Sequence, residues 1–173
     1  MEGVPPEVIV AQKAGGSPGV GSSWAAEDLA FRELFARSSG IVTSLPPAAI
    51  AVSDVYNDHD HYAKTNLPLG HSQAWCARNG GANEVTIDLL EPRLVTGIAL
   101  QGRAECDQFA TRVELHTSTN GTTWTREGAY VGCFDNTTVV KRALPAARLV
   151  SFVKLKILEF HAHPSLRMDV LVV

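Results

Sequence analysis

A chain of 173 residues is long enough for one domain with a substantial buried core. Its hydrophobic content of 45% and charged content of 19% are those of a globular protein, and a net charge of −3 provides no basic field for a nucleic-acid backbone. The apolar runs are too short to cross a bilayer, which argues against a transmembrane segment.

The N-terminal stretch MEGVPPEVIVAQKAGGSPGVG lacks the basic-then-apolar order of a secretory signal, and residues 1–21 read as a flexible leader. Cys76, Cys106 and Cys133 are odd in number and have no CxxC spacing. They predict free thiols and a cytoplasmic location, so the sequons at Asn120 and Asn136 carry no weight.

Residues 22–45 are expected to form a helix and linker. Ser22 or Ser23 caps it, Glu27 and Asp28 are acidic near its start, and Arg32 and Arg37 are basic near its end. Trp24, Phe31, Leu34 and Phe35 form an apolar stripe at helical spacing, suited to packing on the same domain or on a partner.

From residue 46 onward the pattern has period two. Val85, Ile87 and Leu89 alternate with Thr86 and Asp88; Phe109, Thr111, Val113 and Leu115 alternate with Ala110, Arg112, Glu114 and His116; Val153, Leu155 and Ile157 alternate with Lys154 and Lys156. Strands are expected near 49–53, 85–90, 94–100, 109–117, 138–143, 149–158 and 166–172, with one face of each buried and the other wet. They predict an all-β, antiparallel sandwich over residues 46–173.

Asn120-Gly121 is a tight-hairpin signal. Successive turns alternate between the two ends, so this turn and LPAAR (144–148) share one end. QGRAECDQ (101–108), VGCFDNT (131–137) and EFHAHPS (159–165) then share the other. Polar loops presented at one end of a rigid sandwich read as a binding site.

The most polar of the loops is SDVYNDHDHYAK (53–64). Asp54, Asn57, Asp58 and Asp60 supply hard oxygens of the kind calcium takes, although without a DxDxDG spacing. The pairs His59-x-His61 and His161-x-His163 are expected to be surface histidines rather than a transition-metal site. Arg103 is spaced to pair with Asp107, and Arg167 reads as structural. The better candidates for ligand contact are Asn57, His59, Arg78, Asp135 and Asn136, with Arg103 as a further candidate. Tyr56, Tyr62, Trp75 or Phe134 could provide an aromatic face. There is no GxSxG, P-loop, GxGxxG or HExxH, which favours recognition over catalysis.

The same residues carry a family resemblance. Ala74-Trp75-Cys76, Ile87-Asp88-Leu89, VTGIALQGR (95–103), DQFATRVELHTSTNGTTW (107–124), GCFDN (132–136) and SLRMDV (165–170) occur in the order seen in the discoidin, or coagulation factor V/VIII type C, domain. The likeness covers residues 45–173 and is nearest to the N-terminal domain of slime-mould discoidin lectins. It implies a galactose-binding-like jelly roll that takes ligands on the QGR end, a carbohydrate or glycoprotein partner of galactose type, a structural Ca²⁺ and a possible homo-oligomer. The chain departs from the pattern of secreted members, since no cysteine precedes Cys76 to bridge the ends of the domain. A second reading follows from another class: an intracellular adaptor that docks proteins on the same fold. A phospholipid-headgroup binder ranks third, because the loops lack paired apolar residues that wedge into a membrane.

Overall fold

Period-two alternation builds two packed layers, and the longest strands belong to both. The computed structural model describes Val8–Ile9 and residues 26–173, with side chains described from Leu29 onward. The rest of the leader, with Ser22, Ser23 and Trp24, lies outside the described residues. The strands are β1 (Val8–Ile9), β2 (Ser39–Gly40), β3 (Ile50–Val52), β4 (Trp75–Cys76), β5 (Glu84–Gln101), β6 (Phe109–Ser118), β7 (Thr125–Val131), β8 (Val140–His161) and β9 (Ser165–Val172). An α-helix, α1, spans Ala26–Arg37.

The first half of β5 lies between β3 and β8, with Ile50 opposite Ile87 and Glu84 opposite Lys156. β6 and then β7 continue this layer beyond β8. The second half of β5 lies between β8 and β9, with Leu100 opposite Val140 and Met168. β2 and β4 pair with β9, and β1 runs parallel to the start of β8. Between the layers, Trp75, Ile87, Leu89, Ile98, Leu100, Leu115, Leu155, Leu166 and Met168 are fully buried. Each such aliphatic side chain contributes about 1.5–3 kcal/mol relative to exposure.

The all-β antiparallel sandwich is therefore as the alternation predicts, with two differences. The strands expected at 85–90 and 94–100 are halves of one bent strand, as are those at 138–143 and 149–158. At the first bend the register passes from Asp88–Phe152 to Arg93–Val150. LPAAR lies at a second shift within the same strand pair, where the register passes from Val95–Arg148 to Gly97–Ala143. Second, β7 was not expected. Its sequence TREGAYV hides the alternation behind a buried Glu127 and a left-handed Gly128 (φ 138°). Glu127 is satisfied there, since it accepts hydrogen bonds from Thr117 Oγ1 (2.6 Å) and Arg148 Nε (3.1 Å).

The helix packs on its own domain. Phe35, with Phe31 beside it, lies on Ala99, Ala143 and Leu171 on the outer face of the β9–β5–β8 layer. Ser38 then turns the chain into β2, donating from Oγ to Leu34 O (2.8 Å) and lying 2.6 Å from Thr96 Oγ1.

Both ends of β5 and both ends of β8 reach the same end of the sandwich, called here the loop end. The bends of the two strands lie at the opposite end, the base, together with the Asn120–Gly121 turn beside Phe152.

Candidate functional site

Six loop segments meet at the loop end, and the three that turn alternation placed together are among them. Asn136 Nδ2 reaches Ala104 O (3.5 Å), and His161 Nε2 lies 3.1 Å from Asp107 Oδ2. The 53–64 loop joins them through His61, whose Nε2 is 3.3 Å from Glu105 Oε2.

That loop is wound into three short 3₁₀ turns, Tyr56–Asp58, Asp60–Tyr62 and Lys64–Asn66. Asn57 and Asp58 take left-handed backbone (φ 54° and 50°), which short polar side chains tolerate. Tyr56 and Tyr62 meet edge to face at 5.3 Å; Tyr56 also meets His163 at 4.8 Å, and the Arg103 guanidinium lies 5.2 Å from the Tyr62 ring centre. These contacts form an aromatic and cationic wall.

Arg103 is buried and does not pair with Asp107 as its spacing suggested. Its guanidinium donates to Gln108 Oε1 (3.0 Å) and Glu105 Oε2 (3.1 Å), while Asp107 turns to His161. Gln73 Nε2 also donates to Glu105, and this bond, followed by those from Arg103, holds the Glu105 carboxyl below its usual range. Arg167 is structural, as its position in SLR suggested. It donates to Gly102 O (2.6 Å), His71 O (2.6 Å) and Asn136 O (3.2 Å), fastening three loops with one side chain.

The oxygen-rich residues are not gathered into one ligand set. Asp54 anchors the 78–83 turn: its carboxylate accepts from Ser53 Oγ (2.7 Å) and from the amides of Arg78 and Asn83. Asp58 pairs with Arg78 (3.0 Å) on the surface. Asp60 and His59 are exposed, with His59 Nδ1 accepting from His61 N. Among the described residues, no group of three or more His, Cys, Asp or Glu side chains is placed to hold a metal ion. Asp54 and Asp58 thus each hold hydrogen-bonded partners of their own.

Asp135 likewise serves its own loop, accepting from the Thr137 and Thr138 amides and from Thr138 Oγ1. Burial pushes the carboxyls of Asp54 and Asp135 up, but these hydrogen bonds outweigh it and both end below the ordinary 3.8. A carboxylate with a lowered folded pKa stabilises the fold above its unfolded value and loses that contribution as pH falls through the folded value. The fluorescence of Trp75, whose Nε1–H donates to Asp54 O (2.9 Å), should thus stay constant down to pH 3.8 and change below it. Asp54→Asn should flatten that acid transition, as an acid titration followed by fluorescence would show.

Sequence reasoning missed a set of polar atoms shielded from water and left without a hydrogen-bond partner. Among the described residues these are Gln73 Oε1, Asn83 Oδ1, Arg93 Nε, Arg103 Nε, Tyr130 Oη and His163 Nε2. Gln73, Asn83, Arg103 and His163 belong to the loop end. Asn83 is buried with left-handed backbone (φ 57°), beside Asp54 and five residues after Arg78. Burial, then the Arg103 charge, lowers the His163 pKa, so its ring is neutral at pH 7 and one nitrogen is free to accept. Phe134, exposed at 61%, stands on the neighbouring loop. A site of this kind offers donors, acceptors and an aromatic face.

Comparison with known proteins accords with this geometry. The F5/8 type C domain family matches residues 48–170. One discoidin-1 chain of Dictyostelium discoideum is 31% identical over 146 residues, which are 76% of this chain and 58% of that protein. Another discoidin-1 chain of the same organism is 31% identical over 102 residues, covering 57% of this chain and 40% of the relative. The chain thus spans about half the length of the curated relatives it matches. Among solved structures, discoidin II of D. discoideum superposes with a TM-score of 0.71 at 16% identity, over 79% of this chain and 59% of that one. A family 32 carbohydrate-binding module of Clostridium perfringens NanJ, solved with galactose, superposes at 0.58 and 17% identity, over 78% of this chain and 98% of the module. From its ordered motifs, its sandwich and these matches, the chain belongs to the F5/8 type C, or discoidin, domain family.

Proposed function

We propose that the chain is a non-enzymatic carbohydrate-recognition module that takes galactose-type sugars at the loop end. The observation that carries this reading is the set of shielded, unpartnered atoms there: Asn83 Oδ1, Arg103 Nε, His163 Nε2 and Gln73 Oε1. A buried polar group left unpaired is costly, and a ligand bearing hydroxyls, each both donor and acceptor, is suited to satisfy such groups. Asn57, His59 and Arg78, the last paired with Asp58, are exposed on the loops of this end, and Phe134 offers a flat apolar face for the C–H side of a sugar ring. Solved neighbours of the same fold support the sugar class. One is bound to galactose and another, also from C. perfringens, to GalNAc-β-1,3-galactose. The three free cysteines support a reducing, cytoplasmic setting.

A glycan array probed with the purified chain tests the reading. Selective retention on galactose-type termini is expected, and a blank array from folded protein would replace the lectin reading with a protein-docking one. Arg78→Ala should weaken binding at least about tenfold with an unchanged melting temperature, because its ion pair with Asp58 is exposed. Asp135→Ala should weaken it indirectly, by releasing the Thr137–Thr138 turn. Chelation by EDTA is expected to leave both affinity and melting temperature unchanged, since the carboxylates of Asp54 and Asp58 already have partners. A calcium-dependent rise in either quantity would restore the 54–60 loop as a metal site.

A further inference from the structure

The loop end gathers His59, His61, His71, His161 and His163, and one of them differs from the rest. His61 and His161 each face a carboxylate, Glu105 at 3.3 Å and Asp107 at 3.1 Å. Among the described residues, no carboxylate pairs with His163. Its ring meets Tyr56 edge to face at 4.8 Å, and its Nδ1 lies 3.3 Å from Ser165 Oγ. Ser165 is fully buried, and its one hydroxyl hydrogen is directed to Gln108 Oε1 (3.2 Å) or Cys76 Sγ (3.3 Å). The hydrogen between the two side chains therefore sits on His163 Nδ1, which leaves the lone pair on Nε2, shielded and without a partner. A second ring proton has only Nε2 to occupy, where neither water nor an acceptor shares its charge.

The groups packed around the ring do not offset such a charge. From the 101–108 loop comes the Arg103 guanidinium, which donates to the same Gln108 Oε1 (3.0 Å) and covers the Tyr62 ring. β4 contributes Cys76, whose thiol burial pushes up and so keeps neutral. The 53–64 loop contributes Tyr56, with Tyr62 and His61 behind it. The nearby carboxylates are taken, Glu105 by Gln73, Arg103 and His61, and Asp107 by His161. Burial and then the Arg103 charge accordingly hold the His163 pKa below the ordinary 6.5. The loop that carries the ring is strained as well. Ala162 takes left-handed backbone (φ 61°) inside a tight turn in which His163 N donates to His161 O (2.7 Å).

We propose that His163 is an acid switch for the loop end: its protonation drives the ring off Tyr56, lets Ala162 leave the left-handed region and opens the 159–165 loop. The closed form holds His163 neutral and the open form lets it charge in water, so a fall in pH below 6.5 favours the open form. Opening removes one side of the aromatic wall that Tyr56 and His163 build together, and a bound ligand is released in acid. That release rests on the carbohydrate reading; the switch itself does not.

Heteronuclear NMR of the isotope-labelled chain between about pH 7.5 and about pH 4.5 tests it. The His163 ring is expected to carry its hydrogen on Nδ1 at neutral pH and to titrate with a midpoint below 6.5, and the amides of residues 159–165 should follow that midpoint. His163→Gln, which cannot take the charge, should remove this midpoint from the loop amides. Ala162→Gly accepts the left-handed backbone, favours the closed form and should move the His163 midpoint lower still. A ring hydrogen on Nε2 at neutral pH, a midpoint at or above 6.5, or loop amides that ignore the midpoint overturns the proposal. Calorimetric titration with methyl β-galactoside reads the release. Binding should weaken at least about threefold between the two pH values in the wild-type chain and stay level in His163→Gln. Equal affinity at both pH values, or a pH dependence that survives in His163→Gln, overturns the release. A galactoside that binds at neither pH, with the ring titrating as expected, overturns the carbohydrate reading alone.

Discussion

Arg167→Ala is expected to lower folding stability by about 3–5 kcal/mol and to loosen the whole loop end. The side chain is 3% exposed and its guanidinium spans three carbonyls, Gly102 O, His71 O and Asn136 O, that belong to three different loops. Truncation leaves those carbonyls buried without donors and opens a void between the loops, so the losses add rather than compensate. Arg167→Lys keeps the charge but not the planar fork, and it should recover only part of the loss. Urea denaturation of the three proteins gives the order wild type, Lys, Ala. Equal midpoints for wild type and Ala would show that the loops hold one another without this arginine.

Gly97→Val should cost a similar amount by a different route. A Cβ at Gly97 would meet the backbone carbonyl of Arg142 and come within 2.7 Å of the Phe35 ring. The ring can move but the carbonyl belongs to the β5–β8 ladder, so overpacking by about 2–4 kcal/mol is expected. Adding Phe35→Ala should not restore the melting temperature, because the backbone clash remains. Trypsin should then cut sooner at Arg32 and Arg37, since α1 rests on this patch through Phe35. A variant with wild-type melting and wild-type proteolysis would mean that the ladder yields at this point.

These two sites show where the sequence was transparent. Val85, Ile87 and Leu89 alternate with polar neighbours because their strand has one buried face, and all three are fully buried. Val153, Leu155 and Ile157 follow the same rule. The hairpin at Asn120–Gly121 was legible because few residues accept positive φ, and Gly121 takes φ 75°. β7 was not legible: its buried Glu127 needs Thr117 and Arg148 from other strands, and no local pattern announces partners that distant. The loop end was legible as a place and less so as a set of contacts. Spacing suggested Arg103 with Asp107, yet the fold turns Glu105 and Gln108 toward the arginine and His161 toward the aspartate. Nor does sequence reveal that Asp54 and Asp135 spend their oxygens on backbone amides, or that Asn83 and His163 are left with atoms to spare.

The bent strands β5 and β8 also set how the molecule must assemble. Glu84 pairs with Lys156 and Leu100 with Val140, so each layer is closed by residues far apart in the chain. Since both strands run through both layers, neither layer is complete before the other. Such non-local pairing places folding in the slow range, about milliseconds to seconds, and makes unfolding all-or-none. No half of this sandwich can serve as a stable intermediate. Variation in the loops that hang from its end leaves that folding step untouched, so a single slow, cooperative scaffold can carry many loop sequences.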